Sequence, residues 1–309
     1  MTRSLLRDDD LSPAEQAEIL ALAARLKADP YGHRPLTGPR TVAMVFDKPT
    51  LRTQASFAAG IAELGGHAML VDGALAGIGK RESVADVARV LGRQASQIVW
   101  RTYAQTDLEQ MAEYSGVPVI NALTDDFHPC QLLADLLTLQ EHFDRLAGLS
   151  VAFVGDAACN MGNSWALAGA TAGVRVRFGC PDGYAPATDV VERANAIGAT
   201  TGGEVSVTDD AAAAVAGVDV VITDTWVSMG KEDEAEERRR VFTPFAVTAD
   251  LVAQAADHAV VLHCLPAYRG AEIAADVLDG PRSLVWEEAE NRRHAQKAVM
   301  AWLQERAGS

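Results

Sequence analysis

The stretch Thr41-Val-Ala-Met-Val-Phe-Asp-Lys-Pro-Thr-Leu-Arg-Thr-Gln-Ala-Ser-Phe-Ala-Ala-Gly-Ile-Ala-Glu-Leu64 decides the fold. Thr41 to Phe46 is an apolar run of buried-strand length. A polar loop follows, and Ser56 to Leu64 carries helical spacing that stops at Gly65-Gly66. Strand, loop and helix then recur. His67 to Val71 precedes a helical pattern over Ser83 to Leu91, Ser96 to Trp100 precedes Asp107 to Tyr114, and Val117 to Ile120 precedes Gln131 to Phe143. Strands that alternate with helices run parallel, so these residues predict a parallel sheet covered by helices.

Further along the chain, a second series of strands starts at Leu149 to Val154. It continues with Val174 to Phe178, Glu204 to Val207, Val218 to Ile222 and Val260 to His263, with helical stretches between. The expectation is an α/β protein of two domains, each a parallel sheet flanked by helices and joined near Phe143 to Gly148. Residues 1–143 form the first and residues 149–287 the second. Ahead of the first strand, Ser12-Pro13-Ala14-Glu15 reads as a helix start, with an N-cap, a proline in the first turn and an acid three residues after the cap. A last helix, Glu288 to Glu305, carries Ala295, Val299, Trp302 and Leu303 on one stripe that suits either domain. Glu232 to Arg240 is a charge run, read as a solvated loop or helix.

The chain has 309 residues, enough for two cores, and its 49% hydrophobic and 22% charged residues are ordinary for globular domains. No apolar run approaches the roughly 18 residues of a membrane span. The acidic start Asp8-Asp9-Asp10 stands where a secretory signal needs apolar residues, so a cytoplasmic location is expected. A net charge of −15 argues against a nucleic-acid surface or adhesion to anionic lipid. Cys130, Cys159, Cys180 and Cys264 show no paired spacing, which favours free thiols over a zinc site or disulfides.

In open parallel sheets ligands bind beyond the carboxyl ends of the strands, so the loops after strands carry the chemistry. Asp47 to Ser56 opens a helix and sets unpaired backbone N–H groups beside Thr50, Arg52 and Thr53, a geometry that suits phosphate and equally suits a plain capped helix. It lacks the glycines of a Walker loop. Arg101 follows the third strand and offers a guanidinium fork. His128 and Gln131 stand just ahead of an apolar helix, where both can donate to a carbonyl oxygen that gains charge in acyl transfer. Gly155 to Ser164 sits where a dinucleotide fold carries its glycine fingerprint, but only Gly155 and Gly162 are present at the wrong spacing. That disfavours nicotinamide and leaves Asn160 and Asn163 for a small ligand. Asp224 to Gly230 offers a carboxylate and a hydroxyl suited to an amino acid, or a capped turn. Cys264 ends a strand, as a buried structural thiol or one activated by nearby positive groups.

Taken in order, these segments resemble the ornithine carbamoyltransferase family over essentially the whole chain. The resemblance is carried by His128-Pro-Cys-Gln131 with Leu133-Ala-Asp135, Asp224-Thr-Trp-Val-Ser-Met-Gly230, His263-Cys-Leu-Pro-Ala267, and Glu288-Ala-Glu-Asn-Arg292 with His294-Ala-Gln-Lys-Ala298. It implies carbamoyl transfer from carbamoyl phosphate to the side-chain amine of L-ornithine, giving citrulline and phosphate in arginine metabolism. It further implies a homotrimer with shared active sites, a C-terminal helix (288–309) that returns to the first domain, and no metal or organic cofactor. By position, Thr50, Leu51, Arg52, Thr53 and Arg101 would hold phosphate, and Arg101, His128 and Gln131 would hold the carbamoyl oxygen. The carbonyls of Cys264 and Leu265 would accept from the carbamoyl amide, and Arg292 would reach the same ligand. Asn160, Asp224, Ser228 and Met229 would bind ornithine, with Asp224 and Cys264 near the reacting amine.

The donor loop departs from the family pattern. Thr50-Leu-Arg-Thr-Gln54 replaces Ser-Thr-Arg-Thr-Arg, and Gly77 stands about where a glutamine is lent to a neighbouring subunit, with Lys80 or Arg81 as substitutes. Losing one charge-assisted contact costs on the order of 1.5 to 3 kcal/mol, so weakened donor binding is expected. Pro49 and Leu51 resemble the branch that carbamoylates N-acylated ornithine, whereas Asp224 with Ser228-Met-Gly230 suits a free α-amino acid. Another diamino acid as acceptor, or a catalytically impaired relative acting as a binding subunit, are the remaining readings.

Overall fold

A computed structural model describes residues 2–227 and 232–307. The chain divides into two compact units, Met1–Leu137 with Glu290–Ser309, and Thr138–Ala289. The first holds the strands β1 (Thr41–Phe46), β2 (His67–Asp72), β3 (Gln97–Arg101) and β4 (Val119–Leu123) in one parallel sheet of order β2-β1-β3-β4. Val45, Ala88, Ile98, Trp100, Leu108 and Val119 are buried together in one of its core clusters. The second unit holds β5 (Ser150–Val154), β6 (Arg175–Gly179), β7 (Glu204–Thr208), β8 (Val220–Ile222) and β9 (Val260–Leu262), parallel in the order β7-β6-β5-β8-β9.

Both sheets reverse their winding beside their first strand, between β1 and β3 and between β5 and β8. Each reversal leaves a crevice at the carboxyl ends of those strands, because the connections depart to opposite faces. Register then decides which residues share that edge. Phe46 pairs with Arg101, and Phe153 pairs with Ile222. The loop after β1 therefore lies beside Arg101, and the loop after β5 lies beside Asp224.

The strands fall within one or two residues of the sequence expectation except at the end of β4, which runs three residues further, to Leu123. β4 starts at Val119 because Pro118 has no N–H to give the ladder. The helix expected from Ser56 starts earlier, at Arg52, and runs to Glu63. Its apolar spacing begins only at Phe57, since a first turn facing polar surroundings needs no apolar residue. The N-terminal helix, Pro13–Ala28, has the expected capping box between Ser12 and Glu15.

The long last helix, Val285–Ala307, belongs to the first unit from Glu290 onward and packs there on the N-terminal helix. Lys27 Nζ donates to Asn291 Oδ1 at 2.8 Å, and the Trp302 indole N–H donates to Glu18 at 3.1 Å. Lys297, fully buried, bonds Glu63 and the carbonyls of Leu26 and Pro30.

The charge run behaves differently from its expectation. It forms a short 3-10 turn and the helix Ala235–Phe242, and Arg238 within it is buried at 2% exposure. The guanidinium has an ionic partner inside the fold, the Asp156 carboxylate 3.0 Å away, which a local charge count does not reveal.

Candidate active site

In the first unit, three separate parts of the chain meet at one hydroxyl. Thr53, in the first turn of the helix Arg52–Glu63, is buried, and its Oγ1 lies 2.8 Å from Arg292 Nη2 and 3.5 Å from Arg101 Nη1. Arg101 is brought there by the end of β3, where the register with β4 slips between Trp100 and Arg101 and re-aims the strand end. Arg292 arrives on the last helix. The two guanidinium groups are only 8% and 4% exposed as residues, so their charge acts in a medium of low dielectric beside a helix N-terminus.

His128 and Gln131 sit in the turn that opens the helix Pro129–Phe143, both buried. Burial, then Arg292, Arg101 and Lys48, hold the His128 imidazole well below its usual value, so it is neutral at physiological pH. A neutral imidazole keeps one N–H to donate. Gln131 gives an amide N–H to Asp135 at 2.8 Å. Burial pushes the Cys130 thiol up to about 12, which leaves it an inert packing group.

Thr50 is partly exposed and Leu51 is 78% exposed. Leu51 occupies the N-cap position with no side-chain cap, so its side chain leaves the first-turn amides of Arg52 and its neighbours to other acceptors. Arg52 and Gln54 are partly exposed. Gly77 adopts φ 68° at the end of the short helix Gly73–Ala76, and an added Cβ would stand 3.0 Å from that of Arg81. The loop is built around glycine there, and a glutamine would be strained. Lys80 and Arg81 are exposed.

Lys48 belongs with this cluster although the sequence reading passed over it. It is 5% exposed, pairs with Asp125, and lies 4.4 Å from the centre of the Tyr103 ring. Burial holds its ammonium below the ordinary value, against the pull of Asp125. Its position directly after β1 was the available signal.

In the second unit, Asp224 follows β8 and Cys264 follows β9. The Cys264 thiol donates to Asp224 Oδ1 at 3.2 Å, and the backbone N–H of Thr225 donates to the same oxygen at 2.7 Å. Asn160 opens the helix Asn160–Thr171 on the loop after β5 and is partly exposed. Gly162 is required two residues on, since a Cβ there would fall 2.0 Å from the Ala157 carbonyl. Ser228 and Met229 lie outside the described residues.

The loop after β9 is fixed from behind. His263 Nδ1 accepts from Leu265 N–H at 2.9 Å, which leaves the proton on Nε2, 3.2 Å from Glu272 Oε1. The His263 N–H donates to Glu288 at 2.9 Å. Together they hold Leu265 at φ 56°, a conformation rare for a branched side chain, and orient the carbonyls of Cys264 and Leu265. Asp224, His263 and Cys264 have donor atoms within 4.8 Å of one another and could in principle hold a metal. Both His263 nitrogens are committed to the loop, however, so metal binding would break it. Glu272 carries no local sequence signal, because its partners come from the preceding loop only after folding.

Comparison with known families matches residues 3–141 to the aspartate/ornithine carbamoyltransferase carbamoyl-P binding domain and residues 147–303 to the Asp/Orn binding domain of the same family. The chain belongs to the aspartate/ornithine carbamoyltransferase family. An ornithine carbamoyltransferase of Clavibacter sepedonicus is 57% identical over 303 residues, covering 98% of this chain and 99% of its own. Among solved structures, ornithine carbamoyltransferase from Pyrococcus furiosus superposes with a TM-score of 0.93 at 43% identity, over 97% of this chain and 96% of that one. An N-acetyl-L-ornithine transcarbamylase complexed with PALAO is also similar, with a TM-score of 0.88 at 34% identity over 97% and 99% of the two chains. The carbamoyl-P binding match contains Lys48, Thr53, Arg101, His128 and Gln131, and the Asp/Orn binding match contains Asn160, Asp224, Cys264 and also Arg292. Among the described residues, no helix is long and apolar enough to cross a membrane.

Proposed function

We propose that the chain is an ornithine carbamoyltransferase, which transfers the carbamoyl group of carbamoyl phosphate to the side-chain amine of L-ornithine and releases citrulline and phosphate. The observation that carries this reading is the meeting of Arg101 and Arg292 at the Thr53 hydroxyl, on a helix N-terminus, in a chain whose other unit sets a carboxylate and a thiol side by side at Asp224 and Cys264. The first arrangement suits a doubly charged acyl phosphate. The second suits an amino acid with a reacting amine.

In this reading Thr50, Leu51, Arg52, Thr53 and Arg101 hold the phosphate, largely through first-turn amides and guanidinium groups. Arg101, neutral His128 and Gln131 donate to the carbamoyl oxygen, Arg292 reaches the same ligand, and the carbonyls of Cys264 and Leu265 accept from its amide. Asn160, Asp224, Ser228 and Met229 bind ornithine. The neutral amine attacks the carbamoyl carbon, the oxygen gains negative charge in a tetrahedral intermediate, and the C–O bond to phosphate breaks as the amine's proton passes to the departing phosphate. His128 serves as a donor of constant charge, because its burial removes its titration from the neutral range.

One observation favours a second acceptor. Pro49 and exposed Leu51 match the branch that acts on N-acylated ornithine. The carbamoylated product formed from L-ornithine, N-acetylornithine and shorter diamino acids, each measured at saturating carbamoyl phosphate, separates the two. Preference for ornithine supports the proposal, preference for the acylated substrate replaces it, and no turnover of any amine at saturating donor leaves only a binding subunit. We place the protein in the cytoplasm, a location that suits its free thiols Cys130, Cys159, Cys180 and Cys264. We also assign it a homotrimeric state. Exposed Leu70 on edge strand β2 and Leu75 just beyond it, at 56% and 83%, are apolar surface that a second copy would cover.

A further inference from the structure

We infer that Arg238 is a positioning residue for the amino-acid half of the site, an inference that rests on the reading of Asn160 and Asp224 as amino-acid ligands. The guanidinium is buried inside the second unit and grips one oxygen of Asp156, with Nη2 at 3.0 Å and Nη1 at 3.2 Å; the Asp156 side chain is 1% exposed. Nε faces Glu234 at 3.3 Å, and the planar group lies over the rings of Tyr184 and Phe242 at 5.5 and 5.6 Å. The fork on Asp156 and the two flanking rings fix the plane of the guanidinium.

Its position links the two loops that carry the amino-acid ligands. Asp156 stands in the turn after β5, where its other oxygen accepts from the Ala158 N–H at 3.2 Å and its carbonyl accepts from the Cys159 thiol at 3.2 Å. Cys159 is the N-cap of the helix that begins with Asn160. The loop after β8 rests on the same helix as Arg238. Trp226, two residues beyond Asp224, stacks on Phe242 with centroids 6.0 Å apart, and its indole nitrogen comes within 3.1 Å of where a Cβ on Gly155 would lie. Gly155 holds φ 114°, so this close approach and the backbone turn both depend on glycine. The helix Ala235–Phe242 thus clamps the Asn160 loop through a buried ion pair and the Asp224 loop through stacked rings.

The test is steady-state citrulline formation by the full-length protein and two variants, Arg238→Lys and the neutral pair Asp156→Asn with Arg238→Gln. The lysine keeps the charge and loses the fork. The neutral pair removes both buried charges at once and preserves the fold if the single variant does not. The expected result is a KM for ornithine raised about tenfold in both, with the KM for carbamoyl phosphate within about twofold of the parent protein and Arg238→Lys the milder of the two. An ornithine KM unchanged in folded variants, equal rises in both constants, or failure of both variants to fold would make Arg238 a stability element and overturn the inference. Absence of ornithine turnover by the parent protein would instead sink the reading of the site, and this inference with it.

Discussion

Thr53 is the residue on which the donor half turns, because its hydroxyl is shared by guanidinium groups that arrive from β3 and from the last helix. Replacing it with valine keeps the volume and removes the acceptor. Each lost charge-assisted contact is worth about 1.5 to 3 kcal/mol, so Thr53→Val raises the KM for carbamoyl phosphate by roughly tenfold or more and leaves the KM for ornithine near its starting value. Initial rates with each substrate varied in turn check this. The same scale governs the two substituted loop positions. Leu51→Thr with Gln54→Arg restores a hydroxyl and a charge beside the first-turn amides, and the expected outcome is tighter donor binding. An unchanged donor constant would mean that neither side chain faces the phosphate.

At the scale of the element, strand ends were legible and helix interiors were not. Arg101 and Asp224 could be read from the sequence because each follows an apolar run whose length and flanks mark a buried strand, and register then places each beside the loop of the neighbouring strand. Arg292 stands inside a long helix and could be named only through family resemblance. Glu272 and Arg238 are buried and paired with residues that sequence periodicity does not bring near them. A run of glutamates and arginines reads as solvated until one member finds a buried carboxylate across the fold. The loop after β9 gives a prediction at this scale. Glu272→Gln weakens the hold on His263 Nε2 and on the Tyr268 N–H, and so frees the carbonyls of Cys264 and Leu265. Its expected effect is a lowered kcat with a smaller change in either KM. An unchanged kcat would show that the loop holds its shape without that carboxylate.

For the whole molecule, buried imidazoles tie stability to pH. His128 and His294 are both held below the ordinary value of 6.5, chiefly by burial, and His294 is lowered to about 4. The unfolded chain binds those protons first, so the stability they permit is complete above about pH 6.5 and falls as the pH drops towards 4. For His294 the loss approaches about 3 kcal/mol at its limit. Chemical denaturation at about pH 7.5 and about pH 4.5 should show it, and His294→Gln should flatten the difference.

The central claim is that buried guanidinium groups of the first unit bind the phosphate donor while the second unit presents the amino acid. Its most direct measurement is the dependence of citrulline formation on carbamoyl phosphate for the parent protein and for Arg101→Gln, with ornithine saturating. The account predicts one phosphate released per citrulline in the parent protein, and in the variant a large loss of kcat/KM for the donor. Equal donor dependence in the two proteins, or no citrulline from the parent protein, would contradict it.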